Sequence, residues 1–281
     1  TRAPLAASTK GLYVDHTVVC GSPARPIVLG SDVVFACAAG EAVYAFRYNE
    51  TTGGYGPASA GDARVNPSMG ASPEPLRQER QPGYAWVQGA PIRTSNGVPF
   101  FRLMYPIREL TVAGGWRQAW RLLAIRFDGN LPKVIASSTI RATADAGSVL
   151  WPALLSVSES GVRNGREVGV GMLVWYESTT SATTEPAGDD AAGWGNVSVR
   201  GCVLRDTSVS CVPLTVSKHN GTDRAWPYDR YHSAAIQRVG DYQESGGYYD
   251  SVSGKYRFLV HYIEPAATVD MLRVGIVEVA P

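Results

Sequence analysis

The sequence has no apolar run of the roughly 18 residues that a membrane-spanning helix needs. It also lacks an excess of either charge: Lys+Arg number 26 against Asp+Glu 25, for a formal net charge of +1. Lysine is scarce, and basic residues never run longer than two. A chain without a basic field has no general attraction for nucleic acid or acidic membrane surfaces, so both partner classes are set aside. Helix signals are missing as well. No window of a dozen residues keeps an i, i+3, i+4, i+7 apolar pattern between caps. HExxH, GxSxG, P-loop and GxGxxG motifs in a strand–helix context are all absent. Nothing therefore points to zincin, α/β-hydrolase or nucleotide chemistry, and no cofactor is expected.

Cysteine is sparse, with four residues in two local pairs, Cys20/Cys37 and Cys202/Cys211. Zinc knuckles need Cys-x-x-Cys spacing, which neither pair has, so no metal is expected. Each pair brackets a run able to turn back on itself, Val28 to Phe35 and Leu204 to Val209. This favours two disulfides between neighbouring strands over four buried thiols. Disulfides imply an oxidising compartment and hence a secreted or cell-surface protein. Sequons at Asn49, Asn196 and Asn220 are compatible with a glycoprotein.

Glycine (30), proline (18), tyrosine (14) and tryptophan (7) are what the sequence does have. Many turns joining aromatic, β-branched strands follow from that composition. Ile27–Ala36 with Ala42–Tyr48, Pro99–Ile107 with Trp120–Phe127, Val168–Glu177 with Asn196–Leu204, and Lys255–Ile263 with Leu272–Val279 read as strand pairs. Residues 51–82 and 178–195 hold few core residues and read as irregular surface excursions of a single all-β domain spanning 1–281. A motif recurs loosely: a short Pro- or Trp-bearing segment, a long strand ending in aromatics, then an amphipathic strand. Pro26, Pro91 and Pro152 mark it at intervals of 65 and 61 residues. That cadence predicts a β-propeller of five or six four-stranded blades, with a β-sandwich or jelly roll as the alternative.

Several segments resemble the sialidase-like (BNR/Asp-box) β-propeller superfamily. Arg238-Val239-Gly240-Asp241-Tyr242-Gln243, then Tyr249-Asp250 and Lys255–Tyr262, is similar to a blade of secreted bacterial members. Leu272–Val279 resembles that blade's outer strand. Thr143–Trp151 resembles an Asp-box with one residue inserted and Leu150 in place of Thr. Arg25-Pro26-Ile27 is similar to the Arg-Ile-Pro strand with its last two residues exchanged. The resemblance implies a secreted propeller. A sialidase also needs three arginines on the substrate carboxylate, an Asp acid/base and a Tyr–Glu nucleophile pair. Only Arg25 stands in a matching motif.

Other residues invite chemistry. In Trp175-Tyr176-Glu177, neighbouring strand residues point to opposite faces, so Tyr176 and Glu177 should not meet. Asp241-Tyr242 and Tyr248-Tyr249-Asp250 place carboxylates and phenols close in sequence, suited either to sugar contact or to capping turns. Asp15-His16 and the aromatic, charged stretch Trp226–His232 could support acid–base work or binding. Asp189-Asp190 alone is not a calcium site. First and last blades of a closed propeller are neighbours. A ligand-binding site is therefore expected from Arg25, Trp226, Asp229, His232, Asp241 and Tyr242. Three functions fit: recognition of a glycan or other surface ligand, glycoside hydrolysis, or assembly with protein subunits at a cell or particle surface.

Overall fold

The computed structural model describes residues 22–23, 26–29, 32–39, 42–49, 51, 53–57, 59–66, 88–92, 100–110, 116–145, 147–163, 166–179, 198–217, 246–265 and 270–280. These residues form an all-β protein of four antiparallel sheets. Sheet 1 comprises β1 (Ser22–Pro23), β2 (Ile27–Leu29), β3 (Asp32–Ala39), β4 (Ala42–Asn49) and β5 (Gly54–Gly56). A single helical turn, α1 (Ala60–Ala63), follows. Sheet 2 is β6 (Gln88–Ile92), β7 (Phe100–Leu110), β8 (Trp116–Asp128) and β9 (Leu131–Ile140). Sheet 3 is β10 (Ser148–Arg163), β11 (Arg166–Ser178), β12 (Ser198–Arg205) and β13 (Leu214–Ser217). Sheet 4 is β14 (Gly246–Asp250), β15 (Lys255–Pro265) and β16 (Asp270–Val279).

Sheets 2, 3 and 4 are plain meanders, each strand hydrogen-bonded to the next in the chain. Strand parity explains how the sheets pack. Successive strand residues face opposite sides, so a strand apolar at every position buries both its faces. In β7, Phe101, Leu103, Tyr105 and Ile107 join Val34, Ala36, Val43 and Ala45 of sheet 1 in one core. Met104 of β7, with Trp120 and Leu122 of β8, joins Leu173, Trp175, Cys202 and Leu204 of sheet 3 in a second. On the other face of sheet 3, Val170, Met172, Val174 and Tyr176 join Tyr256, Phe258 and Val260 of sheet 4 in a third. Burial also pushes the Tyr105 phenol above its ordinary range, an effect Arg64 partly offsets.

Three cores between four sheets in chain order describe a stack of meanders, the packing of propeller blades. A sandwich would have two sheets and one core between them. The first strands follow the same order, with β2 against β6, β6 against β10 and β10 against β14. Five or six blades would need strands beyond the four described sheets.

The expected strand pairs all form, with local differences. The expected strand Ile27–Ala36 is split in two, because β2 folds back on β3 with Leu29 opposite Asp32. The first part of the expected 51–82 excursion is packed. It adds β5 to the edge of sheet 1, and Ala63 and Val65 are buried. Residues 67–82 lie outside the described residues, as do 180–195 of the second excursion. Two long strands, β9 and β10, are among those with no sequence expectation. β9 is an edge strand with an alternating but largely exposed surface, and β10 is broken by register shifts at Val149/Pro152 and Val157/Gly161. Pro152 follows the first shift, on a strand at the edge of its sheet, where a missing N–H is tolerated.

Candidate functional site

The described polar chemistry gathers where sheet 2 hands over to sheet 3. Strand β9 ends at Ile140, and residues 141–145 and 147 precede β10. Gly147 is required there. A Cβ at this position would stand 2.5 Å from the Ser178 carbonyl oxygen and 2.6 Å from the Ala142 Cβ. The Gly147 amide closes the turn on the Ala144 carbonyl at 2.8 Å. The segment read as similar to an Asp-box, Thr143–Trp151, begins here, and its Leu150 and Trp151 fall in the register shift between Val149 and Pro152.

Two buried carboxylates flank the turn. Glu109, near the end of β7, lies opposite Arg117 of β8 in the ladder. Arg117 donates from Nε to Glu109 Oε2 at 2.9 Å. Arg141 donates to the same oxygen from Nε at 2.9 Å and reaches Oε1 through Nη2. Arg117 Nη1 continues to the Asp145 carbonyl at 3.0 Å. Glu177, at the end of β11, is 2% exposed. It accepts from Thr143 Oγ1 and from Trp175 Nε1 at 3.2 Å, and it forms an ion pair with Arg200 at 3.5 Å. Tyr176 packs on the opposite face with sheet 4, so Tyr176 and Glu177 are kept apart as strand parity requires. A third buried carboxylate, Asp32 in sheet 1, pairs with Arg47 at 2.8 Å and accepts from Asn49 Nδ2 at 2.6 Å. Each of these three carboxylates, the buried ones among the described residues, thus has an arginine partner that offsets the cost of its burial.

Sheet 4 carries a more open set of charges. Asp250 accepts from the Val252 amide at 3.0 Å and from Ser253 Oγ at 2.8 Å, capping the β14–β15 turn. Arg257 meets Asp250 at 3.2 Å and Glu278 at 2.9 Å, while Lys255 meets Glu278 at 2.8 Å. The Ser253 hydroxyl and the Val252 amide hold Asp250 below the usual carboxylate range. The Lys255 ammonium does the same for Glu278. Tyr249 packs against Tyr256 with ring centroids 5.0 Å apart. Asp250 thus caps its own turn; Asp241, the aspartate of the Gly-Asp-Tyr segment, lies outside the described residues.

An open cleft of about 560 Å³ runs between sheets 3 and 4. Val203, Leu214 and Val277 form its apolar lining; Arg205, Ser208 and Glu278 supply polar groups. Among the described residues no group of three or more His, Cys, Asp or Glu side chains is placed to hold a metal.

Cys202 and Cys211 are bonded, with Cα atoms 5.5 Å apart, within the range a disulfide requires. Cys37 is also disulfide-bonded; Cys20, its expected partner, lies outside the described residues. So do Arg25, Trp226, Asp229, His232, Asp241 and Tyr242, together with Asp15, His16, Asp189, Asp190 and the sequon residues Asn196 and Asn220. Sequence reasoning missed Arg102, Glu109, Arg117, Arg141 and Arg200. A signal for Arg102 was present: an arginine inside Phe100-Phe101-Arg102-Leu103-Met104 sits on a strand buried on both faces and must find partners there.

No family model matches the chain, and no curated protein matches it. Among solved structures it is similar to an α-L-arabinofuranosidase from Podospora anserina, crystallised in complex with cellotriose, at 11% identity and a TM-score of 0.25. That match covers 92% of this chain and 64% of the other. A likeness at that TM-score carries no argument, and the fold stands on the sheet order and the three cores alone.

Proposed function

We propose that this chain is an extracellular all-β domain that recognises a glycan or another surface ligand. The observation that carries the reading is the state of its buried carboxylates. Asp32, Glu109 and Glu177 are each paired with arginine and tied to backbone or side-chain donors. Glycoside hydrolysis by the usual route needs one carboxyl kept protonated as the acid and a second free to act on the sugar. Among the described residues these three carboxylates are engaged by arginine and act as scaffold, and none of them is kept neutral as an acid by an apolar surrounding. Recognition then falls to exposed groups and loops, the surfaces on which rigid β scaffolds carry their binding residues. The bonded cysteines support the extracellular reading. The six residues Arg25, Trp226, Asp229, His232, Asp241 and Tyr242 remain the proposed ligand contacts, since together they offer a cation, carboxylates, an imidazole and stacking surfaces.

The test is a glycan array probed with the whole chain, run beside an assay for released reducing sugar on every glycan that binds. Binding without release is expected, and Asp241→Asn and His232→Ala should each weaken it. Release of sugar from a bound glycan would overturn the reading in favour of a hydrolase. Binding unchanged in both variants would remove the proposed contacts.

A further inference from the structure

We propose that the loop Arg205–Ser210, closed by the Cys202–Cys211 disulfide, is a reduction-sensitive latch that holds sheet 3 against sheet 2 through the buried guanidinium of Arg102. Arg102 lies on the face of β7 that looks toward sheet 3 and is 1% exposed. A guanidinium so placed is costly unless its N–H groups find acceptors. It finds them on the loop. Nη2 donates to the Asp206 carbonyl, and Nε donates to the Ser208 carbonyl at 3.4 Å. One residue further on, Ser138 Oγ of β9 donates to the Val209 carbonyl at 2.6 Å. Three backbone carbonyls of one short loop are therefore engaged by sheet 2.

The loop must be bent to present them. Asp206 has φ +46°, in the left-handed region a non-glycine residue rarely adopts. The Ser208 amide closes a turn on the Arg205 carbonyl at 2.9 Å. The disulfide ties the loop's far end back to β12, and Val209 and Cys202 are buried in the core shared by sheets 2 and 3. On its outer side the loop supplies Ser208 and Ser210 to the cleft, and Arg205 donates to the Ala280 carbonyl at 2.7 Å. Opening the latch therefore alters the cleft wall as well as the junction between the sheets.

A dithiol reductant would open it. Its thiolate attacks Cys211 Sγ, which belongs to the less buried of the two cysteines. The Sγ–Sγ bond breaks, and Cys202 leaves as a thiolate. The reductant's second thiol then displaces Cys211, so the reductant departs as a disulfide and the protein holds two thiols. Without its tether the loop loses its fixed turn, and Arg102 loses its acceptors.

Hydrogen exchange read by mass spectrometry on the whole chain tests this. The Cys202→Ser/Cys211→Ser variant removes this bond and leaves Cys20 and Cys37 untouched. It should exchange at least tenfold faster in β7, in the second half of β9 and in residues 202–210, with β15 unchanged. Arg102→Met should show the same regional pattern, and the triple variant should add nothing further, because either change already forfeits the latch. Arg102→Lys, which keeps the charge but not the fork, should fall between wild type and Arg102→Met and serves if the methionine variant does not fold. Unchanged protection in the cysteine variant, additive effects in the triple variant, or equal loosening of all four sheets would overturn the latch.

Discussion

At the residue scale, the arginines organise the described chain more than any other side chain. Arg47, Arg117, Arg141, Arg200 and Arg257 each meet a carboxylate. Arg102 instead meets carbonyls, and its burial lowers its pKa to about 10, with Asp206 opposing the shift. The Cys202–Cys211 bond was legible because the two cysteines are only nine residues apart around a run able to turn back. It showed the divergence of Tyr176 and Glu177 because strand parity is local. It could not show which charges pair, since Glu109 and Arg141 are 32 residues apart and meet only once β7, β8 and β9 align. The carboxylates of sheet 4 give a prediction here. Asp250 and Glu278 have folded values below their unfolded ones, so folding favours their charged forms. Their contribution is present above the ordinary carboxylate range and is lost as pH falls through that range. Asp250 faces Ser253 and Arg257; Glu278 faces Lys255 and Arg257, and Tyr248 also bonds to Arg257. The drop in Tm between pH 6 and pH 3 should be smaller in Asp250→Asn/Glu278→Gln than in wild type. An identical drop in both would show that these charges do not stabilise the sheet.

At the element scale, strands rich in apolar and aromatic residues were legible, the edge strand β16 among them, and the edge strands β9 and β10 were not. β7, β8, β11 and β15 are long apolar or aromatic runs, and hydrophobic pattern finds such strands directly. β9 has ladder bonds only to β8 and a mostly exposed surface, so its composition resembles that of a loop. β10 was hidden by serine, proline and its two register shifts. The turn that joins β9 to β10 sets the approach of sheets 2 and 3, and Gly147 is its tightest point. Gly147→Ala should destabilise the chain by about 1–3 kcal/mol, because backbone rather than a flexible side-chain tip blocks the added methyl. Denaturant titration measures it. A loss under about 0.5 kcal/mol, the scatter of ordinary surface substitutions, would mean that the turn yields freely.

At the scale of the whole molecule, the chain is a succession of meanders in which sheets 2 and 3 each serve two cores. That arrangement gives adjacent residues of one strand different partners. Leu122 and Leu123 of β8 are neighbours in sequence, yet Leu122 shares a core with Leu173 of sheet 3, while Leu123 faces sheet 1. Double-mutant cycles of alanine substitutions, read by denaturant unfolding, test the stacking most directly. The pair Leu122→Ala with Leu173→Ala should couple by about 0.5–3 kcal/mol, whereas Leu123→Ala with Leu173→Ala should be additive within about 0.5 kcal/mol. Equal coupling in both pairs, or coupling only through Leu123, would contradict the face-to-face order of the sheets.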